Sequence, residues 1–598
     1  MRSALCSLPA LLRRRAAPRA ISRGCALVAA LAVLAAVPAR GLPDAPEGGL
    51  LDMPAVLAAA AAVDRERFPN ADDVLIDDMI LCEYQADGTA VTLDDTCIKV
   101  LTEKGRRDQQ VLTRHFTLPF GTASFLLVQV IKPDGRVIAV DLEAQSRVMV
   151  DPSQMQSNIY NPDSKVLQVT LPELSPGDLV RYVAREDLVK PRVPGTFSDY
   201  QILEYTSPIL RYTYEVRAPR ELPLRSVAVK AEIPGTLEHT RHDTAERLVY
   251  RWAVRDVAQM YSEPRMPPLY TVVQRLLVST IPDWEYLSRW YWQLSEPHLR
   301  TTPAMQAKVS ELVAGLTDRE ARLRAIFRFV SQQIRYMGIT VEKEAPGYEP
   351  HDVALTFENR HGVCRDKAAL LVAMLRLADI TAFPVLIHNG PRKDAEVPQP
   401  FFNHAIAAAL AEDGSVILMD PTDENTKDLF PAYLGNQSYL VARPEGDVLR
   451  TSPITPASAN LVQVRTEARL DTAGALRGQS ALRFDGINDN AYRGYFASVS
   501  PEERRRFFEG AVKRLAAGAR LTAFSILPGD LRNTEEPLEV TLGFEAEAVP
   551  VSDGTTHLIP LPRLGTAIGM VNFILRDAGL KERRFPFLTE YACGVSEE

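Results

Sequence analysis

Apolar and polar positions follow two different periods along the chain. Short stretches alternate with period two through the first half and again after residue 460, and a 3.6-residue recurrence dominates between about residues 283 and 379. Ala55 to Phe68 reads as a short alanine-rich helix. In the β-patterned tract after it, Asp87-Gly88 joins one hairpin, and Pro133-Asp134-Gly135 joins Phe125–Ile131 to Val137–Val140. Val166–Leu171, Asp178–Arg185 and Tyr212–Arg217 continue the alternation, with Pro-Gly pairs at 176–177 and 194–195 between them. Short strands at this spacing, ending near Val257, predict an antiparallel sandwich or barrel-like domain. No polar cluster in the tract has a catalytic pattern.

The period then changes. Asp283 to Trp292 carries three of the four tryptophans at helical spacing and predicts an aromatic packing face rather than a stacking platform. Helices are predicted over Pro303–Ala314 and Asp318–Tyr336, the second with Leu323, Ile326, Phe327, Val330 and Ile334 as its core stripe. A third begins at about Lys367, where Leu370, Leu371, Met374, Leu375 and Ala378 recur on one face. Phe401–Leu410 and Val416–Thr422 return to strand pattern around the turn Glu412-Asp413-Gly414-Ser415. Farther on, Val462–Leu470, Ala475–Phe484 and Leu538–Ala546 alternate as strands, and Ser500-Pro501 caps a helix reaching Ala517.

One stretch organises the chemistry. His361-Gly362-Val363-Cys364-Arg365-Asp366-Lys367 leads into the third helix, so Gly362 is expected to supply a tight turn and Cys364 to sit at the helix N-terminus. Unpaired N–H groups and the positive end of the helix dipole favour a thiolate there. A thiol nucleophile needs an imidazole to take its proton and a third group to orient that imidazole. His404 and Asp420, on the paired strands beside the helix, can fill those posts. Strand parity adds a condition. A two-residue Asp413-Gly414 turn would set Asp420 opposite residue 407, on the wrong face for His404, whereas a three-residue loop sets it opposite Ile406, on the same face. The pairing therefore requires an odd-length loop with Gly414 at positive φ, or a bulge nearer the site.

The order Gly-x-Cys-Arg-Asp-Lys-Ala, Phe-x-His, Asp-Pro-Thr, with 40 residues from Cys364 to His404 and 16 from His404 to Asp420, resembles the transglutaminase-like superfamily of papain-type thiol enzymes. The resemblance implies a Cys364–His404–Asp420 triad. Val363 stands where many bacterial members carry an acid, which removes any tuning by that carboxylate. In this superfamily a residue near the end of the preceding helix can help form the oxyanion hole, which points to Tyr336 or Gln333, a satisfied buried polar group being the competing explanation. The β-rich tract, with Tyr261 to Pro268, resembles the module that precedes such cores in bacterial secreted proteins. Arg584-Phe585-Pro586-Phe587 resembles the start of a further strand region in relatives, as a truncated chain would show.

Composition adds boundaries. At 598 residues about three domains are expected, and 46% hydrophobic with 24% charged residues is ordinary for globular proteins. A net charge of −8 argues against a dedicated nucleic-acid binder. Arg13, Arg14, Arg15, Arg19 and Arg23 precede the apolar run Ala26–Val37, and Val37-Pro38-Ala39 fits a signal-peptidase site, so cleavage after Ala39 and a periplasmic or secreted protein are expected. The run is shorter than the ~20 residues of a membrane anchor, and no transmembrane segment is expected after it. Cys82 and Cys97 are the best disulfide pair in an oxidising compartment, although a tight Asp87-Gly88 turn would offset them along the ladder. The spacing of Cys and His fits no zinc site, and no acidic loop has calcium-binding spacing, so neither a metal nor a cofactor is expected.

The expected organisation is a multidomain α+β chain: signal peptide 1–39, leader and short helix 40–68, an N-terminal antiparallel β-sandwich-like domain 69–265, a central transglutaminase-like, papain-like α+β core 266–445, and a mainly β C-terminal domain 446–598. The expected function is an exported thiol enzyme acting on amide or peptide bonds of a protein or peptide substrate through a thioester, as a hydrolase or an acyltransferase. The competing expectation is a non-catalytic envelope-binding or scaffold protein built on the same fold.

Overall fold

The computed structural model describes residues 49–598 apart from 154–158, 340–346, 517, 548, 553, 560 and 577. The expected signal peptide lies outside the described residues. The chain is a multidomain α+β protein with a β-rich N-terminal part. Helix α1 (Met53–Ala61) is followed by an eight-stranded sheet. Its spatial order is Leu237–Asp243, Arg247–Val257, Ile209–Pro219, Asp73–Tyr84 (β1), Ala90–Val100 (β2), Leu179–Leu188, Gly121–Ile131, Val137–Ala139. The expected antiparallel pairing holds except at one place: β1 runs parallel to Ile209–Pro219. Two three-stranded sheets pack against it. Ser198–Ile202, Arg275–Ser279 and Ser226–Lys230 form one, with Phe197, Leu276 and Val278 in a common core with Tyr84, Tyr214 and Trp252. Val111–Thr117, Ser164–Thr170 and Ser146–Val150 form the other. Arg275–Ser279 is the central strand of its sheet, so pairing within this unit continues past residue 265.

The disulfide expectation fails here. Tyr84 pairs with Ala90, which places Cys82 opposite Thr92 and Cys97 opposite Asp77. The cysteines lie five positions apart along the ladder, about 17 Å at strand rise, and an odd step puts them on opposite faces. Cys82 packs with Tyr84 and Trp252 on one face, and Cys97 packs with Val56 and Ala60 of α1 on the other. Both are unbridged.

The central core contains α2 (Trp284–Ser295), α3 (Pro303–Leu312), α4 (Arg319–Gln333), α5 (Val353–Asn359) and α6 (Cys364–Leu377). They pack on a five-stranded antiparallel sheet in which β3 (Ala382–Ile387) pairs with β4 (His404–Leu410), and β4 pairs on its other side with β5 (Val416–Met419). The sequence shows one apolar stripe on α6, but every residue from Arg365 to Leu375 is buried, because α3, α4 and α5 cover the sides the sheet leaves open. This makes α6 the central helix of the core. Each fully buried Leu there is worth about 1.5–3 kcal/mol, which fixes the register of its N-terminus. After residue 460 a second five-stranded sheet packs on α7 (Ile487–Ser498) and α8 (Pro501–Val512), and Gly594–Glu597 lies parallel to Leu461–Leu470 at its edge. Ser500 caps α8 as expected and Glu503 completes a capping box with it, although the helix stops at Val512 rather than Ala517.

Candidate active site

Cys364 is the first residue of α6, as the sequence predicts, but the device that puts it there differs. Gly362 makes no turn. It sits in a two-residue strand, His361–Gly362, parallel to Arg335–Tyr336. The left-handed residue is Arg360, φ 57°, which ends α5. Gly362 is needed for closeness: a Cβ there would lie 2.7 Å from the Cβ of Asp366 and 3.2 Å from the Thr356 methyl. Asp366, at the third helical position, reaches back to accept the Val363 N–H at 3.0 Å, and its other oxygen accepts His351 N at 3.0 Å and faces His351 Nδ1 at 3.1 Å. One buried carboxylate thus caps the helix that carries the thiol.

His404 opens β4, and the strand begins there rather than at Phe401. The turn to β5 has the odd length that parity demands. Leu410 pairs with Val416, Ala411 N donates to Ser415 O at 2.8 Å, and residues 412–414 form the loop with Gly414 at φ 81°. The register Ala407↔Met419 then points Asp420 toward position 406, and its carboxylate reaches His404: Nε2 to Oδ2 is 3.0 Å. Thr422 fixes the other oxygen, its N–H donating at 3.0 Å and its hydroxyl at 2.6 Å. Asp420 is wholly buried and His404 is 8% exposed.

Asp420 occupies Nε2, so the Nδ1 edge of His404 is the one that meets Cys364, with which it shares a hydrogen bond. Burial alone raises the Cys364 thiol. The hydrogen bond and charge of His404, with the Ala405 backbone N–H and Arg365, outweigh burial and hold the thiol below its ordinary value. Burial opposes the imidazolium as well, but Asp420 and Cys364 push His404 up to about 10. Asp420 is held down despite burial by His404 and Thr422. These directions favour a thiolate–imidazolium pair backed by a carboxylate.

Of the two oxyanion candidates, Tyr336 is beside the thiol. It hydrogen-bonds Cys364, and burial together with the charges of Cys364 and Asp420 keeps its hydroxyl protonated and able to donate. Gln333 is an exposed residue at the end of α4, turned out of the core, and among the described residues nothing joins it to Cys364. Several residues that hold the cluster escaped the sequence reading. Lys367 is fully buried and donates to Ser331 O at 3.0 Å and Ile334 O at 2.5 Å, capping the C-terminus of α4 just before Tyr336. Asp366 had a readable signal, an acid at the third position of a helix, and Thr422 had none.

The thiol opens onto a cleft of about 490 Å³. Tyr291, Tyr348, Phe401 and Phe402 line it from the core, and Phe120, Asn161 and Arg192 line it from the N-terminal β-rich unit. The aromatic helix α2 is a packing face as expected, with Tyr291 also reaching the cleft. The segment after β3, residues 388–399, is tied down. Ala395 O accepts Trp284 Nε1 at 2.7 Å, Asp394 pairs with Arg275 at 3.1 Å, and Gln399 Nε2 donates to Asp199 O at 2.8 Å. Such anchoring makes it a wall. Among the described residues, no helix is long and apolar enough to cross a membrane.

The transglutaminase-like superfamily model matches residues 306–421, and a domain of unknown function that has a solved structure, DUF3857, matches residues 86–261. The chain therefore carries a transglutaminase-like domain behind an N-terminal DUF3857 domain. The crystal structure of a candidate protease from Parabacteroides distasonis is similar in fold, with a TM-score of 0.53 at 11% identity, covering 82% of this chain and 94% of that one. A candidate cysteine protease from Cytophaga hutchinsonii matches at 16% identity over 40% of this chain and 75% of that one, with a TM-score of 0.18. An M1 zinc metallopeptidase from Deinococcus radiodurans matches at 14% identity over 42% and 51%, with a TM-score of 0.19. No curated protein matches the chain.

Proposed function

Because residues 306–421 are a transglutaminase-like domain, we propose that the protein is an exported thiol enzyme that acts on amide or peptide bonds with Cys364, His404 and Asp420 as its triad. The observation that supports this best is the 3.0 Å contact of buried Asp420 with His404 Nε2, which leaves the opposite ring edge for Cys364. In the mechanism, the Cys364 thiolate attacks the carbonyl carbon of a carboxamide or peptide bond. The negative charge that develops on oxygen is met by the Cys364 backbone N–H at the helix N-terminus and by the Tyr336 hydroxyl. The protonated His404 gives its proton to the leaving amine, so the C–N bond breaks and a thioester remains on Cys364. His404, now neutral, takes a proton from water or from an acceptor amine. That nucleophile adds to the thioester, and the thiolate departs.

The arrangement also explains why Asp420 is bound from behind by Thr422. The carboxylate is fixed before the imidazole charges, so no reorganisation accompanies proton transfer. Replacing Cys364 with Ala removes the nucleophile and should abolish all turnover of a peptide library. Replacing His404 with Ala should do nearly the same. Activity at the parental level in either variant would overturn the assignment.

A further inference from the structure

The N-terminal unit does more than precede the core, since it builds part of the wall of the cleft in front of Cys364. Val189 N and Lys190 N both donate to Phe120 O, at 2.9 and 3.0 Å, which pins the segment leading to Arg192 against the loop that carries Phe120. The Arg192 guanidinium lies 4.3 Å from the Phe120 ring centroid and 5.8 Å from that of Tyr348. Tyr348 is fixed in turn, its hydroxyl donating to Phe402 O at 2.7 Å and also to Pro400 O. A guanidinium held between two rings uses its faces for stacking and keeps its in-plane N–H edge for a partner.

Among the described residues, no carboxylate engages that edge. Arg192 is exposed, and no ion pair among the described residues engages it. The other ionisable side chains among the described residues lining the cleft are Cys364, Arg365, His404 and the two tyrosines, and none is Asp or Glu. Lys190, 5.9 Å from the Phe120 ring centroid, adds a further cation beside that ring. Such a wall favours an anionic group on the bound molecule and disfavours a cationic one. A carboxylate fits the fork of a guanidinium in a bidentate way that a Lys ammonium cannot offer.

We propose that Arg192 is a specificity residue of this cleft, contributed by the N-terminal domain, and that it selects peptides presenting a carboxylate beside the bond to be attacked. The inference deepens the thiol-enzyme reading and rests on it for the identity of the attacked bond, but the recognition itself is measurable without chemistry.

The test is binding to the full chain carrying Cys364→Ala, followed by fluorescence anisotropy. The probes are rhodamine-labelled hexapeptide mixtures with each position in turn fixed as Glu, Gln or Lys, prepared as free acids and as C-terminal amides. At one position, Glu is expected to bind about tenfold more tightly than Lys at low ionic strength, the combined size of one attraction gained and one repulsion avoided. Adding Arg192→Glu should reverse that order, and Arg192→Lys should keep it with a smaller ratio. A preference for free acid over amide without dependence on position would identify the carboxylate as the peptide C-terminus. The proposal is overturned if no charge preference exists, or if Arg192→Glu binds with the parental order and ratio while its melting temperature is unchanged. Charge-dependent binding by a chain whose Cys364 supports no turnover would remove the thiol reading and leave Arg192 in place. Cys364-dependent turnover with no charge preference would do the reverse.

Discussion

Asp420→Asn isolates the carboxylate behind the imidazole while keeping its shape. Asp420 accepts three hydrogen bonds, one from His404 Nε2 and two from Thr422. An amide has only one accepting atom, so either orientation is penalised. If its oxygen stays with Thr422, its NH2 faces His404, forces the imidazole proton onto Nδ1 and points that N–H at the thiol. If its oxygen turns to His404, the buried Thr422 N–H faces an amide donor, at a cost of about 1–3 kcal/mol. In both cases the imidazolium loses a charged partner, and a charge-assisted hydrogen bond is worth about 1.5–3 kcal/mol, or about 10–150-fold. The sign follows from the pair: the protonated imidazole holds the thiol down, so removing the group that holds the imidazole up raises the thiol. The assay is the rate of Cys364 alkylation by iodoacetamide against pH, in a Cys593→Ser background, since Cys82 and Cys97 are buried. The parent should react rapidly well below the ordinary thiol range, with the imidazolium persisting until pH approaches about 10. The Asn variant should react about 10–100-fold more slowly at pH 6 and show a midpoint shifted up by about one to two units. Profiles that superimpose within about twofold would refute the role of Asp420.

Tyr336→Phe removes a hydroxyl that hydrogen-bonds Cys364, and if that hydroxyl meets the oxyanion, kcat should fall by about 10²-fold with KM little changed, whereas a raised KM with kcat unchanged would assign it to ground-state binding. Burial lowers Lys367 to about 8, so the unfolded chain binds that proton more tightly and the stability owed to Lys367 grows as pH rises from about 8 toward 10.5. Comparing the melting temperatures of the parent and Lys367→Met at pH 7.5 and 9.5 should show the parent's advantage widening by on the order of 2 kcal/mol, and a constant gap would contradict the lowered value. Cys82 and Cys97, on opposite faces of the sheet, should remain unbridged, so reductant should leave the mass of the tryptic peptides and the melting temperature unchanged.

What the sequence reveals depends on how local the cause is. The odd loop between His404 and Asp420 was readable because strand parity is arithmetic: without a bulge, a two-residue turn splits the two side chains between faces, and a three-residue turn with Gly414 at positive φ puts both on one face. The helix start at Cys364 was readable from the apolar recurrence after Lys367. The role of Gly362 was misread, because its requirement is a tertiary close approach to Asp366 that leaves no mark on local pattern. The same limit hid Lys367, which reads as a surface cation on an amphipathic helix until α3, α4 and α5 close around α6. The disulfide failed because the Asp87-Gly88 turn marks the strand pair while the two cysteines lie at unequal distances from it along their strands. The loop spans Ala86 to Gly88, and the difference of one residue sets which face each cysteine occupies. No sequence pattern announces that Phe120 and Arg192 meet a core that begins some hundred residues later in the chain.

The central claim is that Cys364 forms a thioester with an amide or peptide substrate, and it is tested most directly by mass spectrometry of a peptide library. The library is incubated with the parent protein and with its Cys364→Ala variant, each with and without a primary amine. New products are expected only with the parent: shorter peptides or deamidated side chains in water and amine adducts at the same carbonyl when the amine is present, together with an acid-quenched acyl adduct on the peptide containing Cys364. Identical products from the Cys364→Ala protein, or turnover by the parent with no adduct at Cys364 under any quench, would contradict it.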